Sequence, residues 1–417
     1  MSVSDNRDFN DDMVQFGSAT VAAAIARAKD MLPPIAPYDD VAVDDLQRIV
    51  AKRFVWRPTA EIPKREWLYG RHLIRKFVSL DIAPGGVGKS SIKVVEALAM
   101  ASARALLNKE IFGGPLRVWF YNLEDPDEET ERRIHAAMQH HGVEPDDIGD
   151  RLFVNSGRDQ PLVIAEETAG GARIIRPCVE AIKAAILDGQ IDVLTIDPFV
   201  SSHKVSENDN GAIDMVAKEW AAIADACNCA INLVHHVRKT NGAEVTAESS
   251  RGAVSLIGAA RSVVVYNRMT KDEAEAAGID PKLAGFHFRI QNDKANLAPP
   301  EQAEWFRMNN VDLENGDSVG VAASWRYPDA FDGVQTWHLK RVQQIVGNGE
   351  FRNDVRAKEW VGNAIGAVLE IDPKKQREKI KKILKKWIET DMLRVVVRED
   401  AQRHDREYVE VGQWHTD

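Results

Sequence analysis

One stretch limits the folds open to this chain more than any other: Ile82-Ala83-Pro84-Gly85-Gly86-Val87-Gly88-Lys89-Ser90-Ser91. An apolar run, Phe77-Val78-Ser79-Leu80, precedes it, and an alanine-rich segment with helical patterning follows from Ser90 to about Asn108. Strand, glycine-rich loop and helix form the setting in which a G-x-x-x-x-G-K-[ST] match becomes a phosphate site. Glycines let backbone N–H groups converge on phosphate oxygens, and the helix N-terminus adds the positive end of its dipole. The pattern assigns Pro84, Gly85, Gly86, Val87, Gly88, Lys89, Ser90 and Ser91 to nucleotide binding. Lys89 would reach the β- and γ-phosphates, and the Ser90 hydroxyl would ligate Mg²⁺. Ala83 stands where the first glycine of the pattern is expected. A glycine turn before a purely structural helix is the competing reading. Strand, loop, lysine and helix together favour a nucleoside triphosphate.

At 417 residues the chain is too long for one ordinary core. Its 44% hydrophobic and 28% charged content lies near globular averages. No apolar run approaches the roughly 18 residues that span a bilayer, and the acidic, polar start does not read as a signal peptide. Three cysteines cannot frame a disulfide scaffold, and Cys227 and Cys229 read as buried apolar side chains. A cytoplasmic protein without a membrane partner is expected. The net charge of −10 confines any nucleic-acid binding to local patches.

Three domains are expected: an acidic, partly helical extension and linker over residues 1–55, a core over 56–346, and a small C-terminal domain over 350–417. The first holds an amphipathic segment, Val21 to Met31, a proline linker at 33–37 and a short helix, Val43 to Lys52. Beyond the glycine-rich loop, strands at 116–123, 151–155, 191–197, 230–234 and 262–266 alternate with helices at 127–140, 177–187, 212–226 and 251–260. That alternation means a parallel α/β sheet with helices on both faces. From Phe286 to Leu339 short strands joined by turns suggest antiparallel additions at a sheet edge. Gly347-Asn348-Gly349 reads as a domain boundary.

Hydrolysis of a triphosphate needs a carboxylate beside the metal and a group that positions the attacking water. Asp197 ends an apolar strand and would hold Mg²⁺ together with Ser90, although strand-end acids also serve as helix caps. Glu124 ends the strand expected to lie next in the sheet and is the candidate base. A plain acidic pair with Asp125 at a helix N-terminus is the alternative.

These stretches resemble the RecA-like ATPases, and most closely the RepA-type hexameric helicases of plasmids and phages. The matching residues are A-P-G-G-V-G-K-S, E-D-P with downstream Arg132-Arg133, T-I-D-P, L-V-H-H, S-R-G-A and Lys294-Ala295-Asn296, spread from about Trp56 to Phe306. The family tolerates a small residue in place of the first glycine. The resemblance implies ATP bound between subunits of a ring, expected to be a hexamer, with Arg132 among the nucleotide contacts. It makes His235 a γ-phosphate sensor, Arg251 an arginine finger acting on a neighbour's ATP, and Lys294 a second cation at that interface. Plain surface histidines, and an Arg251 that caps Ser249-Ser250 or pairs with Glu248, are the bland readings. The resemblance also implies single-stranded and forked DNA as partners, and a replication initiator or loader. A RecA-like ATPase acting as a regulatory or recombination-associated switch, without unwinding, is the second function class.

In the C-terminal domain, Ile380, Ile383, Leu384, Trp387 and Ile388 form a helical apolar stripe. Lys375, Lys379, Lys382 and Lys386 lie on its opposite side. Between Lys374 and Lys386, eight basic residues face one acid within thirteen positions, which makes those four lysines candidates for DNA binding. A solvated helix face is the alternative. A hairpin, Leu393–Val397 with Tyr408–Val411, completes a winged-helix-like pattern.

Overall fold

The strand that delivers the glycine-rich loop runs through the interior of the sheet. The computed structural model describes residues 51–237, 244–247, 254–298, 303–399 and 403–415. The expected helix at 21–31 and Arg251 lie outside the described residues, as does nearly all of the helix at 43–52. Two units are distinguished, Met1–Pro63 and Lys64–Asp417. In the first, Thr59–Glu61 forms a single 3-10 turn, and Phe54, Val55 and Trp56 are exposed.

In the second unit a short antiparallel pair, β1 (Trp67–Tyr69) and β2 (Leu73–Ile74), leads into β3 (Val78–Pro84) and α1 (Lys89–Ser102). Next come β4 (Val118–Asn122), α2 (Asp127–His141), α3 (Pro145–Ile148), β5 (Leu152–Ser156), and the hairpin β6 (Ala165–Thr168) and β7 (Gly171–Ile174). The chain continues through α4 (Arg176–Asp188), β8 (Val193–Asp197), α5 (Asn210–Ala226), β9 (Ala230–Val237), α6 (Val254–Ala259), β10 (Ser262–Arg268) and α7 (Lys271–Ala276). Three strands close this part: β11 (His287–Ala295), β12 (Glu304–Asp312) and β13 (Ser318–Ser324).

Nine of these strands form one sheet in the order β13-β12-β11-β10-β3-β9-β8-β4-β5. Pairing is parallel from β5 across to β10 and antiparallel from β10 to β13. This is a RecA-like α/β core with antiparallel edge strands. β4, which leads to Glu124, pairs directly with β8, which ends in Asp197, and does not touch β3. β9 and β8 lie between them, because the sheet grows outward from β3 by crossovers in non-sequential order.

β3 alternates by the strand period of two. Val78, Leu80 and Ile82 join a core with residues of α4, α5 and α6, while Ala83 joins a second core with α1 and the antiparallel strands. Most of α1 is buried, from Ile92 without a break to Ala101. The antiparallel strands account for this: they curl over α1, whose Ser91 hydroxyl donates to Gly320 O at 3.1 Å and accepts from Ala322 N–H at 2.8 Å. A helix apolar on nearly every side is one enclosed by its own fold. It ends at Ala103, whose left-handed φ of 53° stops it short of the expected Asn108.

The C-terminal part is a small-sheet domain. It contains α8 (Thr336–Gly347), β14 (Phe351–Arg352), α9 (Val361–Val368), α10 (Arg377–Glu389), β15 (Leu393–Glu399) and β16 (Asp405–Val411), with strand order β14-β16-β15. Its core takes Leu339, Val342 and Val346 from α8 together with Ile380, Ile383, Leu384 and Trp387 from α10. The glycine turn at 347–349 therefore sits inside this domain and not at its edge. Residues 336–339, expected to close a stretch of short strands, are instead the first turn of α8, whose apolar positions keep helical spacing up to Val346. Gln343, fully buried, locks the ends together by donating to Met392 O at 2.9 Å and Gln413 O at 2.7 Å.

Candidate active site

The loop after β3 turns through two glycines with positive φ, Gly86 at 69° and Gly88 at 107°. A Cβ on Gly88 would also lie 2.9 Å from Met308 Sδ, so the curled strands press on the loop at the point where α1 begins. Lys89, the first residue of α1, is 4% exposed and donates to Ala83 O at 3.4 Å. Burial pushes its ammonium below the ordinary lysine value, and the carboxylates of Asp197, Glu124 and Asp81 oppose that push. One buried cation is thus faced by three acids from two different strands and the turn after a third.

Ser90 Oγ donates to Asp197 Oδ2 at 2.8 Å. This places the hydroxyl of the loop and the acid that ends β8 side by side. Both offer oxygen, as a hard divalent cation such as Mg²⁺ requires. Asn122, the last residue of β4, is paired with Asp197, and its Oδ1 accepts from the N–H groups of Glu124 and Asp125, both at 2.9 Å. That side-chain cap fixes the turn that presents Glu124. Arg158 supports it from behind by donating to Glu124 O at 2.7 Å. The Glu124 side chain is exposed and forms no hydrogen bond or ion pair among the described residues, whereas Asp125 is held by Arg133 at 2.7 Å.

Both histidines of the L-V-H-H stretch belong to β9, opposite Ile82 and Ala83 of β3. His235 is 7% exposed, its Nδ1 has no hydrogen-bond partner among the described residues, and Phe199 meets its ring edge-on at 6.4 Å. Burial, then the neighbouring His236, Lys89 and His203, push the His235 imidazole down to about 4, so it is neutral at pH 7. His236 Nε2 lies 3.8 Å from Asp197 Oδ1, too far for a hydrogen bond.

Three expected site residues are engaged elsewhere. Ser91 is occupied by the backbone of β13 and its side chain is not offered to a nucleotide. Arg132 pairs with Asp317 at 2.8 Å and Glu129 at 3.5 Å. It lines a cavity of about 820 Å³ with His135, Met138 and Leu313, in which no residue of the glycine-rich loop takes part. Lys294 donates to Ile257 O at 2.6 Å and Ala260 O at 2.9 Å, capping the C-terminal end of α6. Sequence spacing brings a lysine near a motif but does not say which carbonyls will claim it.

Two features were missed. Arg268, at the end of β10, donates through Nη2 to Gly86 O at 2.5 Å and Gly85 O at 3.2 Å, so a cation rests on the loop's carbonyls. Asp81, inside β3, is fully buried in a polar network. Its signal was an acid inside a strand whose other residues are apolar but for Ser79.

On the helix α10, Ile380, Ile383, Leu384 and Trp387 are buried as their period demands, and Ile388 is half-buried. The lysine face is less open than expected. Lys379 donates to Asp332 O at 3.0 Å, Lys382 lies 5.8 Å from the centre of the Tyr327 ring, and Lys386 is 3.7 Å from Glu389. Lys375, Lys382 and Lys386 remain exposed.

This is the architecture of a P-loop ATPase. Comparison with known families agrees with it: residues 44–242 match the family model of an AAA domain. The matched stretch takes in the P-loop, Glu124, Asp197 and His235, and stops before Arg251 and Lys294. Among the described residues no helix is long and apolar enough to cross a membrane.

Proposed function

We propose that this protein is a ring-forming, ATP-driven DNA helicase or translocase of the RepA type, acting in phage or plasmid DNA replication. The observation that carries the hydrolytic part is the exposed Glu124 carboxylate, unpaired among the described residues, presented by the Asn122 cap beside Asp197 and near enough to Lys89 to influence it. Lys89 and the loop N–H groups hold the β- and γ-phosphates. Ser90 and Asp197 are the residues that would hold Mg²⁺, which neutralises charge on the transferred phosphoryl group. Glu124 accepts a proton from the attacking water and orients it. His235, neutral and backed by Phe199, reports the state of the γ-phosphate to the chain that follows β9.

Support for the DNA-directed part comes from the RepA-type motif order and from the exposed Lys375, Lys382 and Lys386 on a winged-helix-like domain. Arg251, supplied by a neighbouring subunit, makes turnover depend on assembly, since a guanidinium stabilises charge spreading over the phosphoryl group. The decisive experiment measures ATPase activity with and without single-stranded DNA, unwinding of a forked duplex, and native mass on the same preparation. Stimulated turnover and unwinding by a ring are expected. Turnover by a monomer that does not unwind would move the reading to a regulatory or recombination-associated switch.

A further inference from the structure

Asp81 lies in the middle of β3 with no exposure, and four donors surround its carboxylate. Oδ1 accepts from His72 Nε2 at 2.8 Å and Asn232 Nδ2 at 2.6 Å. Oδ2 accepts from the Tyr266 hydroxyl at 2.6 Å and meets Lys93 Nζ at 2.5 Å. Lys93, 2% exposed, also holds Glu96 at 2.6 Å. His72 Nδ1 continues the network to Ser262 Oγ at 2.8 Å. Burial would raise the Asp81 carboxyl, but Lys93 and then His72 and Asn232 hold it well below the usual carboxylate range. Burial would lower Lys93, and Asp81 and Glu96 overcome it. Both groups stay charged.

Lys93 stands one helical turn beyond Lys89, so the two lysines share a face of α1. Asp81 and Ala83 are two residues apart and share a face of β3. Helix and strand thus meet at two rungs, Lys89 over the Ala83 carbonyl and Lys93 over the Asp81 carboxylate. The upper rung opens onto the phosphate site. The lower one is sealed, with each oxygen of Asp81 filled by donors from β1–β2, β9, β10 and α1. An apolar pair of similar volume would pack α1 equally well, since buried ion pairs are seldom the most stabilising choice. What a charge pair adds is direction: it fixes the rotation and axial position of α1 against β3.

We propose that Asp81, through Lys93, is a positioning residue of the phosphate site, setting the register of α1 so that Lys89 and Ser90 meet the nucleotide. The pair touches neither ATP nor metal.

The test compares the full chain with Asp81→Asn, Lys93→Met, the double variant Asp81→Asn/Lys93→Met, and Lys93→Arg. Each is measured well below its own unfolding midpoint for affinity towards a fluorescent ATP analogue and for kcat and KM. The single variants and the folded double variant, which lacks the Asp81–Lys93 pair and keeps only the Glu96 carboxylate of that cluster, should lose roughly 10–100-fold in kcat/KM, as a displaced catalytic group does. The loss should fall on kcat as well as KM, and Lys93→Arg should recover most of it. Wild-type affinity and kcat in a folded single variant, or in the double variant if the singles do not fold, would overturn the proposal and leave the pair a packing device. The proposal rests on the ATPase reading, and the two fail differently. A wild-type chain that does not bind the analogue rejects the ATPase, whereas a binding wild type with indifferent variants rejects only the positioning role.

Discussion

At the scale of single residues, the site separates groups by what already occupies them. Among the described residues buried Lys89 has no partner but a carbonyl at 3.4 Å, so Lys89→Ala should abolish ATP binding as read by equilibrium titration. Glu124→Gln keeps the geometry and removes the proton acceptor. ATP affinity should survive while turnover falls by about 10²–10⁴. Unimpaired turnover would exclude Glu124, and Asp125, tied to Arg133, is poorly placed to replace it. Gly88→Ala combines a φ of 107° with a Cβ 2.9 Å from Met308, and should lower stability by roughly 1–3 kcal/mol as well as weaken binding. His203 supplies a pH dependence. Burial pushes its imidazole from 6.5 down to about 4, so the folded state binds fewer protons than the unfolded one between those values. Its contribution is intact above about pH 6.5 and is lost as pH falls towards 4, at no more than about 1.4 kcal/mol per pH unit. A melting-temperature series from pH 7 to 4 should flatten in His203→Gln.

At the scale of elements, α10 carries the clearest test. Charge reversal of Lys375, Lys379, Lys382 and Lys386 to Glu leaves the buried stripe untouched. It should weaken duplex binding at low salt and reduce the salt slope. Parent-like binding would make the face a solvated surface and the domain a dock for a protein partner. Lys379 should matter least, being bound already to Asp332 O. α10 was legible because its apolar residues repeat at helical spacing and its charges are local. The strands and helices of the parallel core were legible for the same reason, and with them the P-loop and the ends of β4 and β8. The start of α8 was not, since the turn-rich sequence before Thr336 imitates short strands. The Asp81 network was illegible in a deeper sense. His72, Lys93, Asn232 and Tyr266 come together only after the sheet has formed, and nothing in local spacing announces a meeting across such distances in sequence.

At the scale of the whole molecule, the finger assigned to Arg251 predicts complementation between subunits. Arg251→Ala and Glu124→Gln chains, each nearly inactive, should regain some activity when mixed, because a few interfaces then combine an intact base with an intact finger. Equal inactivity at every ratio, with subunit exchange verified, would count against a shared site. A chain that ends before Ala330 should keep ATP binding, whereas one ending near Gly349 would strand α8 without the rest of its core.

The curl of β11–β13 over α1 has a consequence for how this protein comes into being. The P-loop helix is among the first parts of the core to be synthesised, yet the strands that enclose it, and the backbone atoms of β13 that hold Ser91, are nearly the last. A growing chain that has passed Lys89 by more than two hundred residues still lacks the strands that enclose its P-loop helix, and α1 must wait with its apolar sides uncovered. Contacts so far apart in sequence slow folding and lengthen exposure to aggregation. Fragments released from the N-terminal end should therefore remain unable to retain ATP until they extend past Ser324, and shorter ones should recruit chaperones instead of nucleotide. The protein becomes an ATPase late, and all at once.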